Sequence, residues 1–306
     1  MKKKIIITGA TGLIGKKLSK ALTDRGDEVT VFSRNIDSAK KKLPYLNNFV
    51  TWNYKNPDEW KNHLDGKDAL VHLAGVNLFS KRWNDHFKKD IVESREVSTR
   101  NLVQSLKDCK DKPGIFITAS GVGYYGDGGD TILPEDSPKG NDFLAEVCEI
   151  WERESQKAGD YGIRNVQIRT GIVLSPEDGA LKQMLLPFKL FVGGPLGTGK
   201  QWFPWLHIDD IINIYIHAID NKNISGPVNA ASPGIVRMKE FAKTLGKVIK
   251  RPSLFPVPEF ALRIVVGEAA GTVVTGQRVS VDKLLKSGYN FGFENPGEAL
   301  KDLLRK

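Results

Sequence analysis

Residues Lys4 to Leu22 constrain this chain more than any other stretch. Ile5, Ile6 and Ile7 form a β-branched apolar run, Thr8-Gly9-Ala10-Thr11-Gly12-Leu13-Ile14-Gly15 follows at once, and Ile14, Leu18 and Leu22 then recur at helical spacing. The pattern predicts a strand, a glycine turn and a helix. Gly9 lets the chain turn tightly, Gly12 leaves no Cβ between the backbone and a pyrophosphate, and Gly15 lets the helix pack close to the strand. The free N–H groups and positive dipole end of that helix then face an anion. The G-x-x-G-x-x-G spacing is one residue wider at its start than the common dinucleotide fingerprint. Its place after an apolar strand and at the head of an amphipathic helix still makes nucleotide binding the expected use, with contacts from Gly9, Thr11, Gly12, Leu13 and Ile14.

Glu28 to Phe32 reads as a second strand, parallel to the first because a helix lies between them. At its end, where an NAD enzyme carries an acidic residue for the ribose, this chain has Ser33-Arg34. A carboxylate would repel a 2′-phosphate, whereas a guanidinium grips one in a fork and a hydroxyl donates to it. NADP(H) is therefore expected over NAD. A short third strand from Asn48 to Asn53 ends at Trp52 and Asn53, a wall for the adenine, and a fourth from Ala69 to Leu73 ends in the small pair Ala74-Gly75, which lets the backbone approach the cofactor.

Asp90 to Leu106 is helical by pattern. Gly114 to Thr118 is a fifth strand leading into Ala119-Ser120-Gly121-Val122-Gly123-Tyr124-Tyr125-Gly126, a polar opening rather than a core. Asp142 to Ala158 forms a further helix, and Asn165 to Arg169 with Ile172 to Leu174 continue the sheet. Strands alternating with helices predict an α/β, Rossmann-type doubly wound parallel sheet. We assign residues 1–174, completed by parts of 204–232, to the NADP-binding domain, and 175–203 with 233–306 to a smaller C-terminal substrate and lid lobe. From Ser175 onward glycine and proline accumulate. Gly194 to Lys200 nearly matches a P-loop, but Gln201 replaces the magnesium-binding hydroxyl, so a substrate-side loop is the better reading. Gln201 and His207 are its substrate candidates. Asp209 or Asp210 is expected to cap the helix beginning at Ile211.

With 306 residues, 40% hydrophobic and 26% charged, the chain suits a soluble α/β protein with a large core. The net charge of +9 is spread, with short runs at Lys2 to Lys4 and Lys40 to Lys42, and no zinc-finger, zipper or RNP signature accompanies it. We expect a basic face favouring anionic cofactors and substrates, not nucleic acid. Cys109 and Cys148 make no disulfide framework or C-x-x-C pair, and the five histidines show no ligand spacing, so no metal is expected. The basic start followed by three isoleucines is far short of a signal segment, and no apolar run approaches a membrane span. A cytoplasmic protein with no membrane partner is the expectation, its oligomeric state left open.

Together Thr8 to Gly15, Val71-His72-Leu73-Ala74-Gly75, Ser120 before Tyr124-Tyr125-Gly126, and Trp205-Leu206-His207-Ile208-Asp209-Asp210 resemble the extended short-chain dehydrogenase/reductase superfamily of NAD(P)-dependent sugar-nucleotide epimerases and dehydratases. Asp142 to Cys148 and the tail from Arg251-Pro252-Ser253 through Gly276-Gln277-Arg278-Val279 are similar to one branch, an "epimerase family" with a C-terminal domain of unknown function, some members of which are labelled cell-division inhibitors. The resemblance implies a tyrosine and lysine four residues apart on the helix after the serine, the lysine lowering the tyrosine's pKa. Those positions hold Leu144 and Cys148, and the asparagine expected four residues before Thr99 is Arg95. Two outcomes follow. Ser120 with Tyr124 or Tyr125, helped by Arg95 as a neighbouring cation that lowers a tyrosine pKa or holds an anionic substrate, supplies acid/base catalysis on a small anionic or sugar-like molecule. Otherwise the chain binds NADP(H) without turnover, as a regulator or protein-interaction module.

Overall fold

The computed structural model describes residues 2–305. The strand, turn and helix at the start form as the sequence pattern predicts, with β1 at Lys4–Thr8 and α1 at Leu13–Asp24. Next come β2 (Glu28–Ser33), α2 (Ile36–Lys42), β3 (Asn48–Thr51), β4 (Ala69–His72), α3 (Asp85–Lys107) and β5 (Ile115–Gly121). The short β6 (Ile132–Leu133), α4 (Phe143–Gln156), β7 (Arg164–Thr170), β8 (Ile172–Leu174) and α5 (Ala180–Lys189) follow. The remainder holds β9 (Trp202–Phe203), β10 (Trp205–His207), α6 (Ile208–Asp220), β11 (Gly226–Ala230), β12 (Val236–Arg237) and α7 (Met238–Ile249). Beyond these lie α8 (Glu259–Val266), α9 (Ala270–Val274), β13 (Arg278–Val279), α10 (Asp282–Lys286) and α11 (Pro296–Leu304).

Seven strands make one parallel sheet in the order β11-β7-β5-β4-β1-β2-β3, so the strand order reverses between β1 and β4. That reversal is where a doubly wound sheet opens a crevice at the carboxyl ends of its strands. The strands are apolar on both faces because both are covered. Ile5 and Ile7 pack with Leu18, Leu22 and the α6 isoleucines, while Ile6 faces Phe116, Leu102 and Leu106 on the other side. A separate core, built on Leu185, Phe188, Trp205, Phe241 and Leu300, holds α5, α7 and α11 together. Ile172–Leu174 does not continue the large sheet: β8 pairs with β10 in a two-stranded sheet of its own. Gly171, between β7 and β8, lets the chain pass close to Pro204, since a Cβ there would lie 2.2 Å from the Pro204 carbonyl oxygen.

His72 sits fully buried at the end of β4, beside the crevice floor. Its Nδ1 lies 2.6 Å from Thr8 Oγ1 and its Nε2 3.0 Å from Ser98 Oγ. Ser98 donates its own proton to the Ser94 carbonyl, which leaves Nε2–H as the donor and Nδ1 as the acceptor of the threonine hydroxyl. Burial pushes the imidazole pKa down to about 3, with the charge on Arg95 adding to it. The folded state therefore refuses a proton that the unfolded chain takes up below its ordinary pKa, so this stability is complete at neutral pH and drains away as pH falls from about 6.5 towards 3. Between pH 7 and pH 5 the loss is expected to be about 2 kcal/mol. Urea titrations at both pH values should show that increment disappearing in His72→Gln; an equal loss in the variant would reassign it to another group.

Candidate functional site

The first wall of the crevice is the glycine turn. Gly9 takes a φ of +71°, and a Cβ on it would lie 2.7 Å from the Leu73 carbonyl carbon, so the turn and the end of β4 touch through this glycine. On Gly15 a Cβ would fall 2.4 Å from the Gly9 oxygen; its role is to seat the helix against the turn rather than against the strand. Gly12 differs from both. It is exposed at the tip, its φ of −80° suits any residue, and the nearest atom to a Cβ there is the Gly9 oxygen at 3.4 Å. No side chain caps α1 and no acidic residue stands in its first turn, so the helix end presents N–H groups and positive dipole to the crevice. These features fit a dinucleotide pyrophosphate.

At the end of β2, Arg34 is exposed and forms no ion pair or side-chain hydrogen bond among the described residues, while the Ser33 hydroxyl donates to the Asn35 carbonyl. No carboxylate occupies the ribose position. Leu73, Ala74 and Gly75 follow β4 as expected, the Ala74 N–H donating to Thr8 Oγ1. Asn53, past the end of the edge strand β3, is exposed, its side chain accepting from Lys55 N–H. Trp52 does not offer the adenine wall predicted for it. It is 3% exposed, closed among Phe32, Tyr54, Trp60 and His72, because the aromatic density after β3 folds it inward.

The second wall carries the polar groups after β5, and here the structure rearranges the predicted constellation. Ser120 donates to Glu152 Oε1 at 2.6 Å, and Glu152 is held by both Nε and Nη2 of Arg169 at 2.8 Å. Both partners of that ion pair are 3% exposed. Nη1 of Arg169 reaches the Tyr125 hydroxyl, which donates in turn to Asn229 Oδ1. Burial alone would lower the Arg169 pKa, but the Glu152 carboxylate and Tyr125 hold it above its ordinary value. Ser120 and Tyr125 thus belong to a closed network joining β5, β7, β11 and α4. For Tyr125 the expected lowering of the phenol pKa is reversed: burial pushes it up to about 12, and the neighbouring Arg169 only partly offsets that.

Tyr124 is different. It is half-buried, its ring lies under the Arg169 guanidinium at 3.5 Å, and its hydroxyl has no partner among the described residues. Arg95 does not face either tyrosine. Its guanidinium donates to the carbonyls of Ile91 and Val76, lies 4.8 Å over the Trp151 ring and touches Gly75. No carboxylate among the described residues pairs with this buried cation, and desolvation lowers its pKa to about 10, with the Cys148 charge working the other way. Cys148 itself is a packed thiol pushed up to about 11 by burial, with Glu152 adding to the rise.

His207 is not a substrate group. It is 1% exposed, stacks on Phe293 and caps α6, its Nδ1 accepting from Asp209 N–H at 3.1 Å. The proton is then on Nε2, which faces Asp302 at 3.4 Å. Ligand atoms of His207, Asp209 and Asp302 lie within 4.8 Å of one another, both aspartates exposed and the imidazole buried. The aspartates expected to cap α6 do other work: Asp209 is exposed, and Asp210 is buried and accepts from Gly292 N–H, Phe293 N–H and the Tyr289 hydroxyl. Gln201 donates to the Leu196 carbonyl and keeps its amide oxygen buried without a partner among the described residues.

A model of the NAD dependent epimerase/dehydratase family matches residues 5–231. The chain belongs to that family. A second model, a domain of unknown function (DUF1731), matches residues 257–303. The epimerase family protein YfhF of Bacillus subtilis is 38% identical over 304 residues, covering 98% of this chain and 97% of its own length. The chloroplastic epimerase family protein SDR39U1 homolog of Arabidopsis thaliana is 37% identical, covering 98% and 86%. The crystal structure of human epimerase family protein SDR39U1 with NADPH matches at a TM-score of 0.88 and 34% identity, covering 98% of each chain. No helix among the described residues is long and apolar enough to cross a membrane.

Proposed function

We propose that this family member binds NADP(H) in the crevice between β1 and β4 and works as an atypical oxidoreductase or epimerase on a small anionic or sugar-like substrate. The observation that carries the cofactor assignment is the exposed Arg34 at the end of β2, which forms no ion pair among the described residues, together with the uncapped α1. The human relative solved with NADPH supports it. When bound, the cofactor supplies a site for hydride transfer. The chain's own residues do the rest. Gly9 to Ile14 bind the diphosphate, Arg34 and Ser33 take the 2′-phosphate, and Leu73 to Gly75 let the backbone come close. Arg95 is a fixed cation for an anionic group or a developing oxyanion, worth more there than in water because it is desolvated. Tyr124 offers a hydroxyl that has no partner among the described residues. The two buried thiols suit a reducing compartment such as the cytoplasm.

Arg34→Ala is expected to weaken NADPH about 10- to 100-fold, the worth of one charge-assisted contact, and to leave NADH within about twofold. Isothermal titration with both cofactors measures this; equal losses would remove the 2′-phosphate assignment. A second reading is favoured by the network around Glu152, which consumes the Ser120 and Tyr125 hydroxyls: an NADP(H)-binding regulator without turnover. A screen of anionic and sugar-like compounds that follows NADPH absorbance separates the two, since any turnover decides for the enzyme.

A further inference from the structure

The C-terminal lobe carries a face that the cofactor crevice does not use. Along α7, Lys239, Lys243, Lys247 and Lys250 recur on the side turned away from buried Phe241, Ala242 and Leu245, and Arg251 extends the row. These five cations line a cavity of about 750 Å³ together with Pro195, Ser253 and Leu254, and no carboxylate among the described residues lines it. Arg251 stacks 4.5 Å over Phe191, and its Nε is buried without a partner among the described residues.

Beside the basic row stands an apolar rim. Leu186, Leu190, Phe191 and Val192 are 62%, 64%, 54% and 53% exposed, and Leu254 and Phe255 reach 71% and 57%. The rim is tied into one surface: Gly194 packs on the Phe255 backbone, and Pro195 and Gly197 exchange hydrogen bonds with Val257. Phe191 and Lys250 are also the two non-glycine residues with left-handed φ among the described residues, at +63° and +56°. The fold thus holds the Phe191 ring outward and turns the chain at Lys250 into Arg251, whose guanidinium lies over that ring.

We propose that this face docks the protein on an anionic phospholipid surface. A soluble anion would satisfy the lysines and leave six large apolar side chains in water. A bilayer interface meets both needs, with anionic headgroups at the level of the cations and acyl chains beneath the protruding leucines and phenylalanines. The expectation of no membrane partner rested on the absence of a spanning segment, and a peripheral face needs none.

Vesicle co-sedimentation tests this on the full chain, using phosphatidylcholine alone and phosphatidylcholine with about one-third phosphatidylglycerol at about 0.1 M salt. The protein should sediment with the anionic vesicles and stay in solution with the neutral ones. Each lysine near such a surface contributes about 1 kcal/mol, or fivefold, so Lys243→Ala/Lys247→Ala should cut partition about 25-fold. Leu190→Ser/Leu254→Ser should cut it about tenfold, with melting unchanged in both pairs. Equal binding to neutral vesicles, or binding to neither as an acidic protein partner would give, overturns the proposal. So does full retention in the lysine pair. Loss in the lysine pair with none in the leucine pair would reduce the face to an anion site and overturn it too.

Discussion

Gly12→Val is expected to abolish NADPH binding, raising Kd about a hundredfold or more, while leaving the fold intact. Two observations separate these effects. The Gly12 backbone is extended and a Cβ there meets only the Gly9 oxygen at 3.4 Å, so the folded chain accepts a side chain at a cost of about 1 kcal/mol for the changed N-cap. The same side chain projects from the exposed tip of the turn, in front of the N–H groups at the head of α1, where it holds a diphosphate away from its donors. Gly9→Ala is the contrast. With φ at +71° and Leu73 backbone 2.7 Å from the new methyl, it should lose stability before binding can be asked about. Calorimetric titration beside thermal melting reads both quantities. A Gly12→Val protein that melts normally and still binds NADPH at wild-type affinity would show that the turn holds no phosphate.

Removing one partner of the Arg169–Glu152 pair is expected to destabilise the protein by about 3–5 kcal/mol. In Arg169→Leu the Glu152 carboxylate stays buried with a single hydroxyl donor, Ser120; in Glu152→Gln the guanidinium loses its charged partner and keeps Tyr125 and the Glu135 carbonyl. Either variant leaves a charge that the interior cannot solvate. Replacing both at once, as in Arg169→Met/Glu152→Leu, should recover most of the loss, because two apolar groups of similar volume leave nothing uncompensated. Ser120→Ala should cost less, about 1.5–3 kcal/mol, the usual worth of one hydrogen bond to a charged group, because Arg169 still holds the carboxylate. Urea unfolding of the four variants at pH 7 gives the comparison. Single variants within about 1 kcal/mol of the parent would mean that water reaches the pair.

Local pattern made the cofactor side legible and left the polar network after β5 obscure, for physical reasons. The strand, turn and helix from Lys4 to Asp24 interact within a few residues of one another, so spacing alone carries the geometry. Ser33 and Arg34 were placed by their distance from Gly15. Glu152 and Arg169 lie on separate elements, and their meeting is a long-range event. Its trace in the sequence was a charged residue on each of two otherwise buried faces: Glu152 beside Cys148 and Trp151 on α4, and Arg169 in line with Gln167 and Asn165 on β7. The helices α5 and α7 escaped because Pro187 and Gly246 interrupt them. Tertiary packing overrides both propensities: Phe188 and Leu185 anchor α5 in the lobe core, and Gly246 sits where a Cβ would strike the Arg251 carbonyl at 2.7 Å. Trp52 and His207 misled for a shared reason, since an aromatic or imidazole near a strand end serves a core as readily as a ligand.

The grip of Asp210 on the chain at Tyr289, Gly292 and Phe293 bears on how the molecule is put together. One carboxylate, seated in the first turn of a helix that covers the sheet, fastens a segment some eighty positions further along. The closing stretch is consequently a buckle of the nucleotide-binding half, and cutting it off would expose a stranded negative charge against the isoleucines of α6.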